Sequence, residues 1–168
     1  MSVVDAGTGR RLVIAFFEAS RARDVASLML LGDAPPEATQ GMVGVLALDD
    51  RGRVDVSILG DRTTDDGPGI GAVLGAIGLA LAGRDPPRYG PFFDAGSDLS
   101  TDDIARFGAE LEAGQAAVAV LEHGGATALA VLALTGLGGK TEVHWLTSGA
   151  LRLAALRPPI VYPDATVT

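Results

Sequence analysis

An α/β sandwich is the fold class this chain predicts, and three observations carry the expectation. Short apolar runs rich in β-branched residues recur along it, as at Leu12–Phe17 and Ala116–Leu121. Between them lie segments whose apolar residues repeat at three- and four-residue spacing, the mark of helices with one buried face. The order is strand–helix–strand–strand, an apolar insertion, then helix–strand–helix–strand. Its first six regular elements match the split βαβ pattern of a ferredoxin-like (βαββαβ) sandwich. The expected fold is therefore ferredoxin-like, with a Gly/Ala-rich apolar helical insertion and an extra C-terminal αβ unit.

Residues 1–168 read as a single domain. Its βαββ half covers 11–60. The first strand is 12–18, Leu-Val-Ile-Ala-Phe-Phe-Glu. Ser20 can cap a helix over 21–31, with Ala22, Val25, Leu28 and Met29 on its inner face. Strands at 42–48 and 53–59 form a hairpin across the turn Asp49-Asp50-Arg51-Gly52. In the second of them Val54, Val56 and Ile58 are expected inward, with Asp55 and Ser57 on a wet face. Residues 61–99 hold a glycine-rich apolar insertion and a Pro/Gly/Asp-rich loop whose Tyr89, Phe92 and Phe93 need cover.

The αβαβ half covers 100–147. Ser100-Thr101-Asp102-Asp103 opens a helix, with Asp103 at the capping-box position and Ile104, Phe107 and Leu111 as the apolar stripe. A strand follows at 116–122, an apolar helix at 126–135 closed by Gly136, Gly138 and Gly139, and an alternating strand at 141–147. Residues 148–168 are expected to form a short Leu/Ala helix and an extended tail.

Composition narrows the function. The 168 residues are 48% apolar and 20% charged, ample for a core. Aromatics are only 5%, so that core must be built from Ala, Val, Leu and Ile. A net charge of −8 with no basic patch argues against nucleic acid as a partner. With no cysteine, thiolate chemistry and Cys-based metal sites are excluded. The N-terminus lacks a charged-then-apolar leader pattern, so a cytoplasmic location is the expectation.

The most informative feature is the uncharged run Gly67–Gly83, bracketed by Asp65 and Asp66 and by Arg84 and Asp85. It is 17 residues long, at the lower limit of about 17 for a bilayer-spanning helix. Gly67, Gly71 and Gly75 repeat at the small-xxx-small spacing that lets helix backbones approach. Gly67, Gly71, Val73, Leu74, Gly75, Ile77, Gly78 and Leu81 are accordingly the expected contact residues toward a partner or a membrane.

Other candidates are weaker. Gly69 to Gly75 resembles a loosened dinucleotide fingerprint but does not follow a strand directly. Asp61, Asp65 and Asp66, and Asp94 with Asp98, lack the spacing of a calcium loop. The two histidines, His123 and His144, sit at a strand end and on the polar face of the last strand. No nucleophile–base pair emerges from the spacing.

Several stretches together resemble a bacterial family, the domain of unknown function 1269, labelled a predicted membrane protein. They are the N-terminal strand Leu12–Phe17, the glycine-rich segment Gly67–Gly83, and the helix opening Leu99-Ser100-Thr101-Asp102-Asp103-Ile104. The turn into a strand at Leu111-Glu112-Ala113-Gly114-Gln115-Ala116-Ala117 and the pair Gly138-Gly139 complete the set. The resemblance covers about residues 11–147 and implies membrane association. It supplies no catalytic residues, and the family's glycine-rich segment is longer than this one.

These readings lead to a non-enzymatic structural or assembly protein, without cofactor or metal. It is expected to oligomerise, or to dock to a larger complex, through the glycine-rich helix. One alternative inserts that helix into lipid, or lines an apolar chamber for a lipid-like molecule. Another is a small-ligand regulatory module.

Overall fold

The computed structural model describes residues 10–31, 43–59, 70–81, 99–122 and 127–146. The expected helix near 149–156, the aromatic loop at 84–98, the acidic groups at 61–66 and 94–98, and His123 lie outside these described residues. Nine elements follow in order: β1 (Arg10–Glu18), α1 (Ala19–Leu31), β2 (Val43–Leu48), β3 (Val54–Leu59), α2 (Ile70–Leu81), α3 (Thr101–Glu112), β4 (Gln115–Glu122), α4 (Thr127–Gly136) and β5 (Lys140–Leu146). Mixed α/β architecture is thus observed, with a five-stranded sheet in the order β3-β2-β4-β1-β5.

Every pairing in the sheet is antiparallel. β4 lies antiparallel to both β1 and β2, so β1 and β2 run parallel with β4 between them. By the same logic β4 and β5 run parallel on either side of β1. Two strand–helix–strand units therefore interleave, one built on α1 and one on α4. The sequence reading counted β3 among the first six elements of the pattern. In the structure β3 is the outer edge strand, and β5 completes the interleaved set. The reason is compositional. β4 is apolar from Ala116 to Leu121 and buried throughout that stretch, as a strand covered on both faces must be. β3 carries Asp55 and Ser57, which an edge tolerates better than a centre.

Both faces are covered. On one, α2 and α3 pack on Leu12, Ile14, Phe16, Ala117, Ala119 and Leu121 through residues such as Leu74, Ile77 and Phe107. On the other, α1 and α4 pack on Val13, Ala15, Phe17, Val118 and Val120 through residues such as Val25, Met29 and Leu134. Burying a side chain such as Leu74 or Ile77 completely stabilises the fold by roughly 1.5–3 kcal/mol.

This double cover corrects three expectations. Ser57 is not on a wet face; it is 6% exposed and accepts a hydrogen bond from Arg23 Nη2 of α1 at 3.1 Å. His144 is not on a polar face either. It is 8% exposed and edge-on to Phe107, because its side of β5 lies under α3. Leu28, expected inward, is 51% exposed; Ala26 takes its place and turns the buried stripe of α1 away from it. In addition α1 begins at Ala19, so Ser20 lies within its first turn and is not its cap.

Local signals elsewhere hold. Ser100 Oγ accepts from the Asp103 N–H at 3.1 Å, and the Asp103 carboxylate accepts from the Ser100 N–H at 2.9 Å, closing the capping box. Ile104, Phe107 and Leu111 are buried as their spacing predicts. Gly138 ends α4 at φ 99°, a left-handed conformation that favours glycine. Gly139 brings β5 close to β1, where an added Cβ would sit 2.9 Å from that of Ala15.

Candidate functional site

Of the expected contact residues, Gly67 lies outside the described residues. Val73, Leu74, Gly75, Ile77 and Gly78 are buried, while Gly71 and Leu81 are half-buried. The structure brings this set together against its own sheet, mostly β3 and β2. Gly71 and Gly78 are not points of close approach. A methyl at Gly71 would meet Ile58 Cγ1 at 3.6 Å, and one at Gly78 would meet Val54 Cγ1 at 3.4 Å, both ordinary contacts. The tight spot is on the strand, where a methyl at Gly44 would run into the Leu74 side chain. No helix among the described residues is long and apolar enough to cross a membrane. α2 has 12 residues, about 18 Å against a hydrocarbon core of about 30 Å.

A polar cluster that the sequence reading missed sits where α3 crosses β5. Arg106 forks onto Glu142, with Nη1 to Oε2 at 2.7 Å and Nη2 to Oε1 at 2.8 Å. The same Nη2 donates to Asp103 Oδ1 at 2.8 Å, and His144 Nε2 donates to Glu142 Oε1 at 2.6 Å. Burial acts to raise both carboxyls, but the hydrogen bonds outweigh it. Those from Ser100 and Arg106 hold Asp103 below its ordinary value, and those from Arg106 and His144 do the same for Glu142. Arg106 is raised in turn, chiefly by the bond to Glu142. Asp103, Glu142 and His144 also offer ligand atoms within 4.8 Å of one another, a set with divalent-cation chemistry. However, the guanidinium already engages both oxygens of Glu142 and one of Asp103. The two carboxylates thus share a cation that the fold itself supplies, the Arg106 guanidinium.

Glu122 is its opposite. It ends β4 on the α1/α4 face, is 0% exposed, and neither carboxyl oxygen has a hydrogen-bond partner. Burial pushes its carboxyl up to about 8. Arg11 stands opposite it on β1. Yet the Arg11 guanidinium carbon lies 4.9 Å from the centre of the Trp145 ring, on the far side of β1.

The remaining feature is an apolar surface. α4 has no charged residue from Thr127 to Gly136, and only Ala130 and Leu134 are buried. A helix apolar all round belongs in a core, but Leu132 of α4 is 70% exposed. Beside it runs β5, the other edge of the sheet, with Val143 exposed on the same face.

The described residues thus form an α/β protein with a five-stranded antiparallel sheet between two pairs of helices. Comparison with protein-family models, with curated proteins and with solved structures finds no match in any of the three. Two of the four residues in the polar cluster are legible in the sequence, Asp103 as a cap and His144 as a strand histidine. Arg106 and Glu142 lie 36 residues apart and meet only through the sheet order.

Proposed function

We propose that the chain is a non-enzymatic assembly protein that pairs with a second copy of itself. Its body is a ferredoxin-like core of β1, α1, β2, β4, α4 and β5, with β3, α2 and α3 as the insertion. In this reading the glycine-rich helix covers its own sheet, and the contact surface moves to α4 and β5. The observation that carries it is the uncharged outer side of α4, with Leu132 70% exposed. Exposed apolar surface of this kind marks interfaces.

A second copy is the occupant for two reasons. The chain carries −8, so copies approach with least repulsion across a surface without charge. The edge strand is also self-complementary. Val143 is the middle residue of Lys140–Leu146. Antiparallel pairing about it would set Glu142 opposite the partner subunit's His144. The twofold axis then stands perpendicular to the sheet, and the two α4 helices flank it on one face. The stretches that resemble the domain of unknown function 1269 family fall in β1, around α2, at the start of α3, at the turn into β4 and at the glycine pair before β5, and among them only the glycine-rich segment is a contact candidate.

Light scattering on the purified chain tests this. At about 100 µM, far above a micromolar Kd, wild type is expected at twice the chain mass. Leu132→Glu and Val143→Lys are expected to run as folded monomers. A monomeric wild type at that concentration, whether free or bound to lipid vesicles, overturns the proposal.

A further inference from the structure

We infer that Glu122 and Arg11 form a latent cross-strand pair: while Glu122 holds its proton Arg11 rests on Trp145, and when the proton leaves Arg11 turns from the indole to the carboxylate. The pair lies within one chain and needs no second copy. It starts from register. Glu122, Arg11 and Trp145 are consecutive partners across β4, β1 and β5, so their side chains form one row on the α1/α4 face. Directly opposite residues have Cβ atoms about 4.5–5.5 Å apart, within reach of an arginine.

Burial supplies the driving force. A fully covered carboxyl with two unpartnered oxygens is tolerable only while neutral. Once ionised it needs a cation, and among the described elements around it one candidate exists. α4 is uncharged over Thr127–Gly136, and β2 is uncharged over Val43–Leu48. The charged residues of α1 are Arg21, Arg23 and Asp24, all in its first half, and its second half, Val25–Leu31, has none. That first half lies toward the other end of the sheet, where Arg21 bonds Leu137 O and Arg23 bonds Ser57. On β5, Glu142 and His144 point to the opposite face, under α3. Arg11 remains, and its present partner is an aromatic face that it leaves without breaking an ion pair.

The cation–π contact is the weaker alternative. At a partly exposed site it is worth about 0.5–1 kcal/mol, less than an unpaired buried carboxylate costs. Burial alone would hold the carboxyl to about 8, and the incoming guanidinium, by favouring the ionised form, brings the charge change below that.

Trp145 is the only tryptophan, so its emission reports the arrangement directly. In the full chain, selectively excited tryptophan emission is expected to step with pH, with its midpoint between the ordinary 4.5 and the burial-only value of about 8, because the arriving guanidinium favours the ionised carboxyl. Circular dichroism should stay constant over that range. Glu122→Gln is expected to remove the step. Arg11→Met, which never places a cation over the ring, is expected to give a flat profile as well. Three results would overturn the inference: flat emission from folded wild type, an unchanged step in Glu122→Gln, or a wild-type step in Arg11→Met.

Discussion

Glu142 and Glu122 lie on the two strands that flank β1, on opposite faces of one sheet, and their surroundings drive them in opposite directions. Glu142 sits under α3, an amphipathic helix whose polar side delivers Arg106, and its carboxyl is held below the ordinary range. Glu122 sits on the α1/α4 face, where α4 offers no charge, and its carboxyl rises to about 8. Depth alone does not separate them, since both groups lose water. The difference lies in whether the covering helix brings a cation. A strand carboxyl in this fold is thus governed by the sequence of the helix that covers it, whether 36 residues away, as Arg106 is from Glu142, or next along the chain, as α4 is to Glu122.

The largest expected effect tests the isolated member. Glu122 holds its proton to about 8 when folded, against an ordinary 4.5 when unfolded. The folded state binds more protons in that window, so stability is full below 4.5 and is lost as pH rises toward 8. Glu122→Gln is therefore expected to stabilise the protein by up to about 3 kcal/mol at neutral pH, the limit set by burial without help from Arg11. The gain should vanish in mild acid, as urea unfolding at a series of pH values would show. A gain independent of pH would break the contrast.

The next effect is on the compensated member and has the opposite sign. Arg106 is 46% exposed, so Arg106→Met is expected to cost only about 1–2 kcal/mol. That cost should shrink as acid protonates Asp103 and Glu142. Their contribution is present above their ordinary values of 3.8 and 4.5 and is lost as pH falls through their lowered ones. The smallest effect separates capping from charge compensation. Ser100→Ala removes one of the groups that lower Asp103 and is expected to cost about 0.5–1 kcal/mol. The Arg106–Glu142 fork should survive it, as crystallography of the variant would show.

Legibility in the sequence followed the range of the interaction. The capping box at Ser100 and the stripe Ile104, Phe107 and Leu111 depend on neighbours three and four residues away, and both were readable. Strand positions were readable to within a residue or two for the same reason. What failed depended on sheet order. An alternating β3 looks half-wet until α1 is known to cover it, which is why Ser57 and its Arg23 partner were missed. His144 looks polar-facing until α3 is known to lie across β5. The glycine-rich run looked like something built to grip a neighbour, because its spacing carries no record of β2 and β3 lying beneath it. Glu122 left a faint trace, a lone acid closing an apolar strand. Only an uncharged helix five residues later, with nothing to offer it, hinted at its isolation.

The position of β4 also bears on how the chain comes off the ribosome. β1 and β2 are made early but never touch; the strand that joins them begins at Gln115. Until that stretch has emerged, the nascent chain holds two separate β segments with bare hydrogen-bonding edges, the template for misassociation with neighbours. Assembly is thus postponed until β4 has been made, and a fragment released before Gln115 lacks the strand that would unite it.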